Sequence, residues 1–375
     1  MPARAAGNCK CFSHVLKKKL FRCVEQTGVH PVCFTFRLDT RANSYTVRRV
    51  KDSLAVTYHE HGSPAEVLRV ERVPVPKPGP GQVLIKMLAA VIHPSDFGMI
   101  AGSYGRLAEL PAVAGREGVG EVVEAGEAVE GVGPGDWVRM PESGAWQTHA
   151  VADADSLMTI PNTMPVELAA MAFINPPTAW RILRDTHLSA NDWIIQNAAN
   201  SAVGHFVIQM ARALEIRTVN VVRREELVQP LKDLGADVVV TEDSGYEKRV
   251  KELTDGQPIV LGLNSVGGES ALRIIKSLGD GGKMITFGAM DFTPIRFPTR
   301  QLIFSNISLT GFWLDRWYRE NSRERVKVMQ DRLCNLMTEG KLSAPVAETF
   351  PLERVHEAVE AAGRPRLGKV LLKPA

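Results

Sequence analysis

Small and polar residues crowd the stretch Asn197-Ala198-Ala199-Asn200-Ser201-Ala202-Val203-Gly204, directly after the apolar run Trp193–Ile195. Small side chains at such a turn let a diphosphate approach the backbone. At a helix N-terminus it would meet free N–H groups and the positive end of the helix dipole. Dinucleotide turns commonly place glycines three apart; here those places hold Ala198, Ser201 and Gly204, so only the last glycine is present. About twenty residues further on, where an acidic residue would bind the ribose hydroxyls of NAD, the chain has Arg223 and Arg224, followed by Glu225. Two cations suit a 2′-phosphate, which points to NADPH. A plain packing unit and a solvated basic pair remain the alternatives from these residues alone.

The elements that must position this turn are legible around it. Val203, Val207, Met210, Ala211 and Leu214 recur at helical spacing, and the buried-looking run Thr218–Val222 follows. Strand, turn, helix and strand within Asp192–Arg224 form a βαβ unit. The strands expected in this half are Ile194–Gln196, Thr218–Val222, Asp237–Val240, Ile259–Leu263, Met284–Phe287 and Ile307–Thr310, with helices at Leu227–Leu234 and Glu269–Leu278 among the links. Six parallel strands in this alternation make a doubly wound (Rossmann) α/β sheet.

The preceding part of the chain reads differently. Leu54–Tyr58, Glu66–Val73, Val83–Val91, Gly118–Glu124, Trp137–Met140 and Trp146–Val151 look like short strands punctuated by Gly and Pro. A helix over Met171–Arg184 is expected to lead into the nucleotide-binding part, and another over Ser322–Glu339 to follow it. The last strand, Gly368–Leu372, should fold back onto the β-rich part. The expected domains are a basic leader (1–51), a β-rich domain from 52–173 plus 316–375, and the Rossmann domain at 174–315.

A length of 375 residues with 45% hydrophobic residues supports two domains, and the net charge of +3 gives no reason to expect nucleic acid. No apolar run approaches the roughly 18 residues a transmembrane helix requires. Of five cysteines, Cys9, Cys11, Cys23 and Cys33 lie in the leader and only Cys334 lies in the body, which is no disulfide framework and fits a reducing compartment. The leader carries eleven Lys or Arg against Glu25 and Asp39. That balance fits a transit peptide, with a structureless extension as the alternative. The C-x-C spacing of Cys9 and Cys11, near His14 and His30, is not the usual spacing of a structural zinc site.

The segments KMLAAVIHPSDFGMIAGSYG (86–105), ELPAVAGREGVGEVV (109–123), INPPTAWRIL (174–183), IIQNAANSAVG (194–204), VNVVRR (219–224), LNSVGG (263–268), FGAM (287–290) and LTGFWLDRW (309–317) together resemble the medium-chain dehydrogenase/reductase superfamily. The resemblance is to its zinc-free mitochondrial 2-enoyl thioester reductase branch and covers residues 54–375. It implies a GroES-like β-rich catalytic domain beside the Rossmann domain. It also implies NADPH-dependent reduction of the trans-2 double bond of an enoyl thioester, carried on coenzyme A or acyl carrier protein, in fatty acid synthesis.

By that resemblance Tyr104, between Gly102 and Gly105 in a flexible-looking loop, is the proton donor. Asn175 lies near the nicotinamide; Asn200, Ser201, Ala202 and Val203 form the pyrophosphate turn; Arg223, Arg224 and Glu225 form the 2′-phosphate loop. Phe287, Gly288, Ala289 and Met290, then Phe312, Trp313, Leu314 and Asp315, and finally Lys369 complete the implied cofactor contacts. The branch commonly has Asn at His93 and Gly at Ala202, so the role of His93 stays open. The zinc ligands of related alcohol dehydrogenases are missing: their positions fall on His93, on Arg116 in Gly115-Arg116-Glu117, and near Ile174-Asn175. No resident metal is therefore expected. Reduction of an activated double bond needs no Lewis acid, and a phenol neutral at pH 7 can donate a proton. The alternatives are a zinc-free quinone oxidoreductase or alkenal reductase, and a non-catalytic binding protein that keeps the fold. A homodimer in the mitochondrion, otherwise the cytoplasm, with no membrane insertion, is the further expectation.

Overall fold

The computed structural model describes residues 52–140 and 143–374. The leader, with its four cysteines and the readings attached to them, lies outside the described residues.

The first half is β-rich, as expected. Its strands are β1 (Asp52–Tyr58), β2 (Arg69–Pro74), β3 (Gln82–Val91), β4 (Ala112–Val113), β5 (Gly118–Ala125), β6 (Trp137–Arg139), β7 (His149–Asp153) and β8 (Thr159–Ile160). The second half supplies β9 (Trp193–Gln196), β10 (Arg217–Val222), β11 (Val238–Thr241), β12 (Ile259–Asn264), β13 (Lys283–Thr286) and β14 (Ser308–Gly311). The chain closes with β15 (Val346–Phe350) and β16 (Lys369–Leu372).

β9 to β14 form one sheet in the order β11-β10-β9-β12-β13-β14. Every pairing in it is parallel, which is the expected doubly wound arrangement. The strand order reverses between β9 and β12, and a ligand crevice opens outside the carboxyl ends of the strands at such a point. The turn 197–201, Ser265–Gly268 and Phe287–Met290 all follow strands at that edge. In the β-rich half, β3 is the hub: it pairs with β5, with β7, and with β16 from the far end of the chain. The C-terminus therefore does fold back. One core cluster runs from Ala89 and Val119 of the β-rich layer through Phe173, Ile182 and Phe206 to Ile194 and Leu263 of the parallel sheet, so the two halves share buried contacts.

Several expected elements shift, each for a local reason. The run Glu66–Val73 is not one strand: Ser63-Pro64 opens a one-turn helix, Pro64–Val67, and β2 begins only at Arg69. The run Trp146–Val151 is displaced to His149–Asp153. Trp146 lies off the strand, fully buried, with its ring beneath Gly115, where an added Cβ would sit 2.1 Å from the indole. The helix expected from Met171 begins at Asn175, because Pro176 and Pro177 are tolerated only in a first turn, where no N–H partner is needed. Arg323–Thr338 matches expectation, capped by Ser322, whose hydroxyl accepts from the Arg325 N–H at 3.3 Å. The helices Pro94–Ile100, Tyr246–Leu253, Leu314–Glu320 and Val355–Gly363, and strand β15, lie outside the elements expected from the sequence.

Candidate active site

His93-Pro94-Ser95-Asp96 reads like a ligand motif but folds as a helix start. Pro94 takes the first helical position, and the Asp96 carboxylate accepts from the His93 N–H at 2.6 Å and from the Arg116 N–H at 2.9 Å. The helix runs to Ile100 and is closed by a turn in which Gly102 has φ +76°, a conformation that suits glycine, with the His61 ring 3.0 Å from where a Cβ would stand. The turn delivers Tyr104. Its backbone N–H is pinned to the Gly98 carbonyl at 3.1 Å, so the segment that looked flexible is tied at its key residue.

The Tyr104 hydroxyl oxygen accepts from Arg116 Nη1 at 2.7 Å and from Trp313 Nε1 at 2.9 Å. The Arg116 guanidinium lies 4.4 Å from the ring centroid, and the Trp313 indole meets the phenol edge-on at 5.9 Å. Arg116 Nη2 donates in turn to the Asp315 carboxylate. Gly105 leaves room for the indole: a Cβ there would be 3.2 Å from Trp313. Tyr104, Trp313 and Asp315, distant in sequence, are thus brought together. Arg116, which sequence reading registered only as a replaced metal ligand, is the residue that joins them. Burial raises the Tyr104 pKa above its ordinary value, against the opposing pull of Arg116, so the phenol is protonated at neutral pH.

A buried charge cluster is built on Glu117, the residue after Arg116. Lys369 Nζ donates to His93 Nδ1 at 3.0 Å, and His93 Nε2–H donates to Glu117 Oε2 at 2.6 Å. The other Glu117 oxygen accepts from the N–H groups of Phe173 at 2.5 Å and Ile174 at 2.8 Å. Burial together with the neighbouring Lys369 ammonium holds the imidazole pKa well below its usual value, so His93 is a neutral bridge between a cation and an anion. Burial also lowers Lys369 and raises Glu117. This donor set does not fit a zinc ion. Both His93 nitrogens are engaged, an ammonium stands on one of them, and a guanidinium follows where a second imidazole would be needed. Among the described residues no group of three or more His, Cys, Asp or Glu side chains is placed to hold a metal. Lys369, implied as a cofactor contact, directs its amine to His93.

A cavity of about 140 Å³ adjoins Arg116 and Glu117 and is lined further by Arg139, Phe173, Ile174, Asp315 and Tyr318. Tyr318 donates to the Phe173 carbonyl at 2.7 Å and accepts from Gln330 at 2.6 Å. Just beyond Ile174, Asn175 is buried and its Nδ2 has no partner. A larger open groove of about 860 Å³, lined by Pro76, Leu107, Ala112 and Ala150 among others, includes none of Tyr104, Arg116 or Trp313.

At the carboxyl edge of the parallel sheet, Ala198 adopts φ +44° and Ser201 caps the helix Ala202–Ala213 by accepting from the Gly204 N–H at 3.1 Å. Gly204 is required by close approach, because a Cβ there would lie 2.3 Å from the Ala199 carbonyl oxygen. The glycine that survives in the sequence is thus the one that packs helix against turn. Asn197 ties the crevice together: its amide donates to Asn264 at 2.8 Å and Ser270 at 3.0 Å, and its carbonyl accepts from the Ser265 N–H at 2.8 Å. Arg223 and Glu225 are exposed at the end of β10. Arg224 pairs with Glu226 at 2.7 Å and donates to the Arg366 carbonyl at 3.3 Å, which Asn200 Nδ2 also reaches at 3.4 Å. Arg366 gave no sequence signal, since it arrives from the C-terminal segment. Of the segment after β13, Phe287 and Gly288 are half-buried while Ala289 and Met290 are exposed; after β14, Phe312 is half-buried and Leu314 buried.

Comparison with known proteins agrees with this architecture. Residues 79–162 match the alcohol dehydrogenase GroES-like domain, and residues 202–331 match the zinc-binding dehydrogenase family. The chain is 44% identical over 326 residues to a mitochondrial enoyl-[acyl-carrier-protein] reductase of Xenopus tropicalis, covering 84% of this chain and 93% of the relative. It is 41% identical over 319 residues to the protein of the same name from Homo sapiens, covering 83% of this chain and 86% of that one. Among solved structures, an Etr1p complex with NADP and crotonyl-CoA superposes with a TM-score of 0.78 at 29% identity, covering 86% of this chain and 99% of the other. A Bacillus thuringiensis protein assigned as an NADPH:quinone reductase does so with a TM-score of 0.80 at 29% identity and the same coverage. The shared two-part fold and the extended identity over both halves mean that the chain belongs to the medium-chain dehydrogenase/reductase superfamily, among the mitochondrial enoyl-[acyl-carrier-protein] reductases.

Proposed function

We propose that the protein is an NADPH-dependent reductase of trans-2-enoyl thioesters, carried on coenzyme A or acyl carrier protein, with Tyr104 as the proton donor. The observation that carries this reading is the Tyr104 phenol, kept protonated by burial and fixed by Arg116 and Trp313, in a fold whose parallel sheet presents a dinucleotide crevice.

The residues present fit NADPH. Helix Ala202–Ala213 begins at the crevice, Arg223 stands exposed beside Arg224 at the end of β10, and the buried Asn175 Nδ2 lacks a partner that a nicotinamide or substrate oxygen could supply. Asn200, Ser201, Ala202 and Val203 would hold the pyrophosphate, and Arg223, Arg224 and Glu225 the 2′-phosphate end. Phe287–Met290 and Phe312–Asp315 would flank the remainder. When bound, NADPH supplies the hydride that adds at the β-carbon. The chain's own residues then carry the other half of the reaction. Negative charge moves toward the thioester oxygen, and Tyr104 delivers its proton to the α-carbon. The position from which related alcohol dehydrogenases offer a metal is filled here by the Lys369–His93–Glu117 chain.

Likeness to the assigned quinone reductase favours one second reading, a quinone or alkenal reductase with the same cofactor site. One assay separates them: NADPH oxidation with crotonyl-CoA against a quinone series. Turnover of crotonyl-CoA is expected, and quinone turnover without it would overturn the proposal. Cofactor choice is read in the same assay. Charge-assisted hydrogen bonds contribute roughly 1.5–3 kcal/mol each. Replacing Arg223 and Arg224 together by Ala should therefore raise KM for NADPH by an order of magnitude or more, and KM for NADH far less. Equal changes for both cofactors would remove the 2′-phosphate assignment.

We further infer a homodimer. β14 is an edge strand, and Phe292, Phe297, Ile303 and Phe304 just before it are exposed, at 83%, 49%, 65% and 72%. An Etr1p/Etr2p pair from Candida tropicalis is a heterodimer of this fold, with a TM-score of 0.77. Sedimentation should give a mass near twice that of the chain, and Phe304→Asp should lower it; a wild-type monomer at micromolar concentration would refute the dimer. The basic leader and the mitochondrial relatives support a mitochondrial location, which cell fractionation tests.

A further inference from the structure

We propose that Arg116 is a positioning residue for the proton transfer: with Trp313 it fills both acceptor directions of the Tyr104 hydroxyl, turning the phenolic hydrogen toward substrate, and its charge steadies the phenolate left behind. This rests on the proton-donor reading of Tyr104.

The argument begins with the inventory of a phenol, which has one hydrogen to give and two lone pairs to receive with. Arg116 Nη1 lies 2.7 Å from the oxygen and Trp313 Nε1 2.9 Å from it. A guanidinium and an indole are donors only, so neither can accept the phenolic hydrogen. That hydrogen must point in a third direction, and an acid whose proton has nowhere else to go is pre-oriented for transfer. Arg116 is itself held at both terminal nitrogens, while its buried Nε–H has no partner among the described residues. Its backbone N–H is held by Asp96 at 2.9 Å, its Nη2 by the Asp315 carboxylate, and its planar group faces the phenol ring with 4.4 Å to the centroid. Its side chain is only 8% exposed, so its field acts through protein rather than water.

In the step itself, the O–H bond of Tyr104 breaks and a C–H bond forms at the α-carbon, using the electron pair of the enolate. The oxygen keeps the electrons of the broken bond as a phenolate, which solvent later reprotonates. Burial alone opposes a phenolate, and a fixed guanidinium on the oxygen offsets this. Asp315 acts in the opposite sense: it aims the guanidinium but also places a negative charge beside the phenol.

The test uses the full chain labelled with ¹³Cζ-tyrosine, so that Tyr104 ionisation is followed by NMR independently of turnover, alongside pH profiles of kcat with NADPH and crotonyl-CoA. Arg116→Gln should move the Tyr104 titration to higher pH by a unit or more. It should lower kcat about ten- to hundredfold, the range expected for a lost hydrogen bond to a charged group, with KM for NADPH changed less than about twofold. Arg116→Lys should recover part of both. Asp315→Asn should move the titration to lower pH; water admitted by general loosening would also lower it, because burial raises the phenol, so the upward shift in Arg116→Gln is the direction that loosening does not produce. An unchanged Tyr104 titration in Arg116→Gln overturns the proposal. Should that variant not fold, an unchanged titration in both Arg116→Lys and Asp315→Asn overturns it equally. If the wild type failed to reduce crotonyl-CoA, the assigned activity would fall, while the NMR titrations would still decide whether Arg116 controls the phenol.

Discussion

Tyr104→Phe lowers kcat for crotonyl-CoA by about 10²–10⁴-fold, the usual contribution of a positioned general acid, and leaves NADPH affinity near the wild-type value. The ring is retained, so its edge contact with Trp313 and its face contact with Arg116 survive. What disappears is the one hydroxyl that both of those side chains grip. The elements proposed to hold the phosphate end of the cofactor, the turn after β9 and the end of β10, are not touched by the substitution. In the wild type, burial has raised the phenol pKa. Tyr104 is therefore protonated through neutral pH, and with Tyr104 as the proposed donor kcat should fall only as pH climbs past the ordinary phenol value of about 10. Steady-state kinetics with a cofactor titration on the same sample checks all three. A near-normal kcat in Tyr104→Phe would mean that water or another side chain delivers the proton.

The second large effect is on stability. Lys369→Met should cost about 3–5 kcal/mol, the range found when one partner is removed from a buried ion pair. Lys369, His93 and Glu117 are 7%, 3% and 3% exposed, and no solvent can replace the lost ammonium. Glu117 keeps its two backbone N–H donors but loses its cation, so its pKa, already raised by burial, rises further. The sign of the pH dependence follows. A carboxyl whose pKa is higher in the folded state favours folding while protonated, so the variant is most stable near or below the unfolded value of about 4.3. That stability is lost as pH rises through the folded-state pKa. Urea unfolding of Lys369→Met should therefore show a midpoint that falls between pH 5.5 and 8.5, more steeply than in the wild type. Adding Glu117→Gln removes the stranded charge and should recover part of the loss and flatten the slope. A single variant as stable as wild type across this range would show that the cluster carries no net charge coupling. NADPH affinity measured on the same protein separates this role from the implied cofactor contact of Lys369.

Local pattern determined much of this protein. The βαβ unit around the turn 197–201 was legible because its strands are short apolar runs and its helix repeats at 3.6 residues. The strand sequence of the parallel sheet followed from simple alternation. The basic pair at the end of β10 could be read because charge type and position along a strand are properties of the chain itself. Where local rules compete, apolar pattern alone does not decide the element. Glu66–Val73 has strand composition, yet Ser63-Pro64 imposes a helical turn on its start; Pro176-Pro177 forbids the helix that the apolar pattern begins at Met171.

Only the tertiary structure decided the chemistry around Tyr104. Arg116 reaches the phenol from 12 residues away, and Trp313 from 209. Lys369 meets His93 across 276 residues, because β16 returns to pair with β3 at the place where His93 follows it. Nothing in the local sequence of any of these residues specifies its partner. Side-chain pattern encodes which face of an element is buried, whereas the meeting of two distant polar groups depends on strand order and on the packing of the two halves about their shared core. That is why His93 stands in the sequence as an open metal-like ligand and in the fold as a neutral bridge between Lys369 and Glu117, and why the residue that grips the Tyr104 hydroxyl shows in the sequence only as a missing histidine.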